Sequence, residues 1–119
     1  MEQKASSYKW LVTEELLQKV VEVIRREVDP EKIIMFGSRA RGENRDDSDL
    51  DLIVIEQEPF KDELQRFREI GKLYRILEPF EVPKDILVYG RDEPQKYRHW
   101  LNHVLTEALQ EGEILYEKS

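Results

Sequence analysis

Ile33-Ile34-Met35-Phe36-Gly37-Ser38, then ten residues, then Asp49-Leu50-Asp51-Leu52-Ile53-Val54-Ile55: these two segments set the architecture of the chain. Ile33 to Phe36 is a short apolar run closed by Gly37-Ser38, the pattern of a buried strand with a turn at its end. Leu50 to Ile55 reads as a second strand. Its acids, Asp49 and Asp51, come before an uninterrupted apolar run, so the strand has a polar start and a buried body. Residues 39–48 are polar and charged, enough for a short helical turn and a loop. A link this short joins antiparallel neighbours, because a parallel pair needs a longer crossover. Gly37 at the end of the first strand is therefore expected beside Asp49 at the start of the second.

Outward from this pair, the flanks read as helices. On the N-terminal side Thr13 is an N-cap, with Glu14 and Glu15 in the first turn. Leu17, Val20, Val21, Ile24 and Val28 recur at helical spacing until Asp29-Pro30 stops the helix. On the C-terminal side, Leu64, Phe67, Ile70, Leu73, Tyr74 and Leu77 describe an amphipathic helix from Asp62 to about Leu77. Pro79 and Pro83 lead into a third strand, Asp85 to Tyr89. Pro94 then opens a last helix whose apolar positions run Tyr97, Trp100, Leu101, Val104, Leu105, Ala108 and Leu109, with Gly112 at its end. Ile114 to Tyr116 can add an edge strand. The expected fold is α/β, a small mixed sheet of three to four strands flanked by helices, as a single domain over residues 1–119 with its core at about 13–116.

The second link contains a helix, which allows a parallel crossover. That topology brings the start of the third strand, and with it Asp85, to the sheet end that holds Gly37, Asp49 and Asp51. Residues two apart on a strand share a side, so Asp49 and Asp51 project together about 7 Å apart. Carboxylates gathered in this way repel one another unless a cation lies between them. All-oxygen ligation suits Mg²⁺ or Mn²⁺, with substrate phosphates completing the shell. A glycine at this point lets backbone N–H groups approach a phosphate. Asp46 and Asp47 read as loop residues.

Composition narrows the classes further. Charged residues make up 38% of the 119 residues, against about 25% in an average domain. With the periodic apolar positions, that describes a charged surface over a real core. The absence of cysteine excludes disulfides, a thiol nucleophile and Cys-ligated metals. A net charge of −7 argues against autonomous nucleic-acid binding. No run approaches the ~18 apolar residues of a membrane span, and the first residues lack the apolar core of a signal peptide. A cytoplasmic protein is expected. No Walker lysine follows a glycine-rich loop and no G-x-G-x-x-G is present, so P-loop and Rossmann readings fail. His99 and His103 have the spacing of two helical zinc ligands, but no third ligand accompanies them, and a surface role is the better reading.

Phe36-Gly37-Ser38, the ten-residue interval, Asp49-Leu50-Asp51-Leu52 and the later Asp85 together resemble the polymerase-beta-like nucleotidyltransferase superfamily. Within it, Gly37-Ser38-Arg39-Ala40-Arg41-Gly42 followed by Ser48-Asp49-Leu50-Asp51-Leu52 is similar to the minimal nucleotidyltransferases of the MntA type, encoded beside HEPN-domain partners in toxin–antitoxin pairs. The resemblance implies transfer of AMP from ATP with release of pyrophosphate. It makes Asp49, Asp51 and Asp85 the catalytic and metal-binding residues, with two Mg²⁺ ions, or Mn²⁺, and ATP as substrate. Gly37, Ser38, Arg39 and Arg41 become the nucleotide-binding residues, where guanidinium geometry suits phosphate oxygens.

It also implies a partner, a HEPN ribonuclease toxin modified on a tyrosine hydroxyl. The alternatives are an antitoxin that silences by occlusion without catalysis, and the catalytic subunit of a two-chain, antibiotic-type nucleotidyltransferase. Because the sequence ends soon after the third strand and one more helix, an acceptor held largely by another chain, or a small one, is expected. The apolar face of the last helix, together with Tyr8 and Trp10, is the expected partner surface.

Overall fold

The computed structural model of the chain describes residues 12–37, 49–99 and 103–119. Tyr8, Trp10, Ser38, Arg39, Arg41, Asp46, Asp47 and Trp100 lie outside these residues. Helix α1 spans Glu14–Val28, and Thr13 caps it by accepting a hydrogen bond from the Leu16 N–H at 3.0 Å. Strand β1 (Lys32–Phe36) follows, then β2 (Leu50–Ile55), helix α2 (Glu63–Ile76) and strand β3 (Lys84–Tyr89). Asp62 caps α2 through the Gln65 N–H, and the Gln65 side chain accepts in return from the Lys61 N–H, which fixes the entry of the helix. A single turn α3 (Glu93–Lys96), helix α4 (Val104–Glu111) and strand β4 (Glu113–Glu117) complete the order.

The four strands lie in the order β3-β2-β1-β4. Pairs β1–β2 and β1–β4 are antiparallel and β2–β3 is parallel, which makes the sheet mixed. Strand alternation divides the core between the two faces. Ile33, Met35, Leu50, Leu52, Val54, Ile86 and Val88 pack under α1 and α2 with Leu17, Val20, Ile24, Leu73 and Leu77. Ile34, Ile53 and Ile55 turn to the opposite face, under Leu105 and Ala108 of α4. The body of β2 is apolar on both sides because helices cover both sides.

The last helix differs from the expectation. Its apolar period is unbroken in sequence, yet the chain forms turns at residues 97–99 and a new helix starts at Val104. His103 has extended backbone and caps α4 by accepting from the Leu105 N–H at 3.1 Å. Its ring stacks on Tyr97 with centroids 4.1 Å apart, and the Thr106 hydroxyl donates to the Tyr97 carbonyl at 2.8 Å. His103 thus stands outside any helix, ahead of Val104, and His99 lies in a turn, so the i, i+4 helical ligand geometry does not exist. Gly112 follows α4 where a Cβ would run into the Ala108 and Met35 carbonyl oxygens and Ile34, which lets the chain turn directly into β4. Among the described residues no helix is long and apolar enough to cross a membrane.

Candidate active site

The C-terminal end of β1 meets the N-terminal starts of β2 and β3. Strand register pairs Phe36 with Asp51, and Asp51 with Asp85. Asp51 and Asp85 are therefore side by side on neighbouring strands, about 4.8 Å apart in backbone position. The apolar residues that follow them, Ile53 on β2 and Leu87 on β3, belong to the α4 face, so both aspartates belong to that face. Asp49, two residues before Asp51, is at the same sheet end. Asp51 is half-buried, while Asp49 and Asp85 are exposed.

Gly37 closes β1 with φ of +79°, a left-handed conformation that side chains rarely adopt. A Cβ here would overlap the Asp51 carboxylate. The glycine therefore leaves room for that carboxylate and turns the chain out of the sheet at the same point. Beside it a cavity of about 230 Å³ opens between Phe36 and Gly37 on one side and Val104, Glu107, Ala108 and Glu111 of α4 on the other. Cavity and aspartates thus share the α4 side of the sheet.

Tyr74 was not singled out for this site by sequence, where it counted as an apolar helix position. Its hydroxyl accepts from the Ile86 N–H at 3.0 Å and donates toward Asp85 Oδ1 at 3.5 Å. It satisfies an outward-facing donor of edge strand β3 and sets a proton donor next to Asp85. No sequence spacing links residue 74 to 85. Only the crossover packing of α2 against β3 does.

Carboxylates at the other end of β2 and β3 are handled differently. Glu93 is buried and receives a close hydrogen bond from the Arg66 guanidinium, which also donates to the Val88 carbonyl at 2.7 Å and to Glu63 at 3.1 Å. Glu56 follows β2, and burial first, then the hydrogen bond and like charge of Glu69, push its carboxyl from the ordinary 4.5 up to about 8 against the pull of Lys72. Neither group was marked by the sequence patterns.

The donor set at the aspartate end is all oxygen, the chemistry of a hard divalent cation. Among the described residues no three His, Cys, Asp or Glu side chains form a group that would hold a metal ion by themselves. What the register supplies is an adjacent pair, Asp51 and Asp85, with Asp49 close in sequence. That fits Mg²⁺, which is commonly bound by one or two carboxylates and completed by substrate phosphates and water.

The nucleotidyltransferase-domain family matches this chain over residues 17–106, from within α1 to Thr106 in the first turn of α4, and so takes in the whole glycine–aspartate constellation. The chain belongs to the nucleotidyltransferase domain family. Solved structures share the nucleotidyltransferase fold at low identity. A Sulfolobus solfataricus protein assigned as a nucleotidyltransferase superposes with a TM-score of 0.58 at 19% identity, over 87% of this chain and 79% of that one. A toxin–antitoxin crystallised with AMP-PNP gives 0.54 at 21% identity, over 87% and 74%. A mutant of the MntA–HpeT toxin–antitoxin gives 0.52 at 18%, again over 87% and 74%. No curated protein matches the sequence. Of the predicted nucleotide-binding residues, Gly37 stands at the site, and Ser38, Arg39 and Arg41 lie outside the described residues.

Proposed function

We propose that this nucleotidyltransferase moves AMP from ATP onto a tyrosine hydroxyl of a HEPN-type ribonuclease partner and so acts as its antitoxin in the cytoplasm. The observation that carries the reading is the side-by-side placement of Asp51 and Asp85 with Gly37 against Asp51. The likeness to a toxin–antitoxin crystallised with AMP-PNP favours an adenine nucleotide and a protein acceptor. In the reaction the acceptor oxygen bonds to the α-phosphorus, the bond from that phosphorus to the bridging oxygen of the β-phosphate breaks, and pyrophosphate leaves. Asp85 takes the acceptor hydroxyl's proton, directly or through water, and the Tyr74 hydroxyl holds the Asp85 carboxylate in place. Gly37 and Ser38 hold the outer phosphates by backbone and hydroxyl hydrogen bonds, and Arg39 and Arg41 pair with phosphate oxygens. Asp49, Asp51 and Asp85 would hold Mg²⁺, which when bound neutralises the triphosphate and stabilises charge on the attacking and leaving oxygens.

The test is intact-mass spectrometry of the partner after incubation with ATP and Mg²⁺, with wild type and Asp85→Ala in parallel. A mass gain of one AMP with wild type alone, together with loss of ribonuclease activity, is expected. Silencing by both proteins without a mass change would replace transfer by occlusion.

A further inference from the structure

The partner face expected on the last helix with Tyr8 and Trp10 falls partly outside the described residues; among the described residues α2 carries an exposed apolar line of its own. Leu64 is 56% exposed and Phe67 63% exposed, and Tyr74, at 38%, continues the same line. With Gly71 these residues fall at 64, 67, 71 and 74, the alternating three–four spacing of a helix–helix seam. A Cβ at Gly71 would meet nothing within 4 Å, so the seam has an open hole at its centre. The opposite side of α2, through Ile70, Leu73 and Leu77, is the side that packs on the core. Two exposed arginines, Arg68 and Arg75, border the seam one residue beyond Phe67 and Tyr74. They stand seven residues and about 10 Å apart on one flank, and neither forms an ion pair among the described residues. In a chain of net charge −7, this is a basic flank along one side of an apolar stripe.

We infer that the α2 seam docks an amphipathic helix of the protein acceptor whose flank carries acidic residues facing Arg68 and Arg75. The seam ends at Tyr74, whose hydroxyl touches Asp85, so a helix lying along it has one end at the proposed transfer site. A second copy of this chain fits less well. Antiparallel two-fold pairing of the seams would set the Arg68 and Arg75 flank of one copy against the same flank of the other, like charge against like. The inference rests on the transfer reading for its choice of partner and adds the surface that aligns the acceptor.

The test uses two designed helical peptides with the same leucine seam, one flanked by glutamate and one by lysine, titrated against the full chain by fluorescence anisotropy. The glutamate peptide is expected to bind and the lysine peptide to bind at least about tenfold more weakly. Phe67→Glu, an exposed position whose folding circular dichroism verifies, should lower affinity for the glutamate peptide by about tenfold or more. Arg68→Glu with Arg75→Glu should reverse the preference. Equal binding of both peptides, absence of binding, or unchanged affinity in Phe67→Glu overturns the proposal, as does a dimer in sedimentation equilibrium that Phe67→Glu disperses. If peptide binding behaves as stated but wild type transfers no AMP to the partner, the transfer reading fails and the docking surface stands. If wild type transfers AMP and Phe67→Glu does so at the same rate, the surface fails and the transfer reading stands.

Discussion

The two ends of β2 hold acidic side chains in different settings. Past its C-terminal end the protein neutralises carboxylates from its own resources: Arg66 pairs with buried Glu93, and Glu56 holds a proton beside Glu69. At its N-terminal end, Asp51 and Asp85 are register neighbours, Asp49 is exposed close by, and a left-handed glycine makes room for the Asp51 carboxylate. The first arrangement closes a structure. The second gathers carboxylates at a sheet end, where the proposed reading has a cation and a triphosphate join them. Burial accounts for the closed end, since an acid inside a packed layer must be paired or protonated, whereas the acids at the strand starts are half-buried or exposed.

Removing the internal partner at the closed end should have the largest effect on stability. Arg66→Ala leaves Glu93 buried without its guanidinium and frees the Val88 carbonyl, and urea unfolding should show a loss of about 3–5 kcal/mol. A loss below about 1 kcal/mol, the scale of exposed ion pairs, would mean that Glu93 is not held in this way. At the open end, Gly37→Ala places a Cβ against the Asp51 carboxylate and in a left-handed backbone. The backbone strain alone is about 1–2 kcal/mol, and AMP transfer should fall further than stability because Asp51 is displaced.

Glu56 sharpens the comparison through pH. Its folded-state value, about 8, lies above the ordinary 4.5, so between those limits the folded state holds a proton that the unfolded state has released. Stability should therefore fall as pH rises from about 5 to about 8. Glu56→Gln removes that slope: its melting temperature should exceed wild type's at pH 8 and approach it at pH 5. Thermal melts across that range check the sign, and parallel pH curves for the two proteins would contradict it. Tyr74→Phe should give the smallest effect. It removes one hydrogen bond to an edge N–H, worth about 0.5–1.5 kcal/mol, and should slow transfer without weakening nucleotide binding, a split that separate kcat and KM measurements read.

The sheet and its aspartates were legible because local rules sufficed. Apolar runs at strand length, a short link and a helical link fixed β1, β2 and β3 and brought residues 37, 51 and 85 to one end. The break before α4 was not legible. Tyr97, Val104, Leu105 and Ala108 keep a helical period straight through it, and a histidine is not among the usual N-cap residues. The three contacts that make the break, from His103 to Leu105 and Tyr97 and from Thr106 to Tyr97, are specific side-chain bonds that periodicity does not register. The exposed seam of α2 escaped for a related reason. Its residues share the helical period with the core positions Leu73 and Leu77, and an apolar stripe wider than the sheet can cover looks the same in sequence as one that is buried. Tyr74, Arg66 and Glu56 act across elements, and no spacing along the chain pairs them with Asp85, Glu93 or Glu69.

The claim at the centre is that the open end of β2 is where nucleotidyl transfer occurs. Its most direct test is labelled ATP and Mg²⁺ with the partner protein, using wild type and the double variant Asp49→Asn with Asp51→Asn. Label should pass to the partner with wild type and not with the variant, while the variant keeps a cooperative melt like that of wild type. A folded double variant that transfers AMP at the wild-type rate would contradict the assignment.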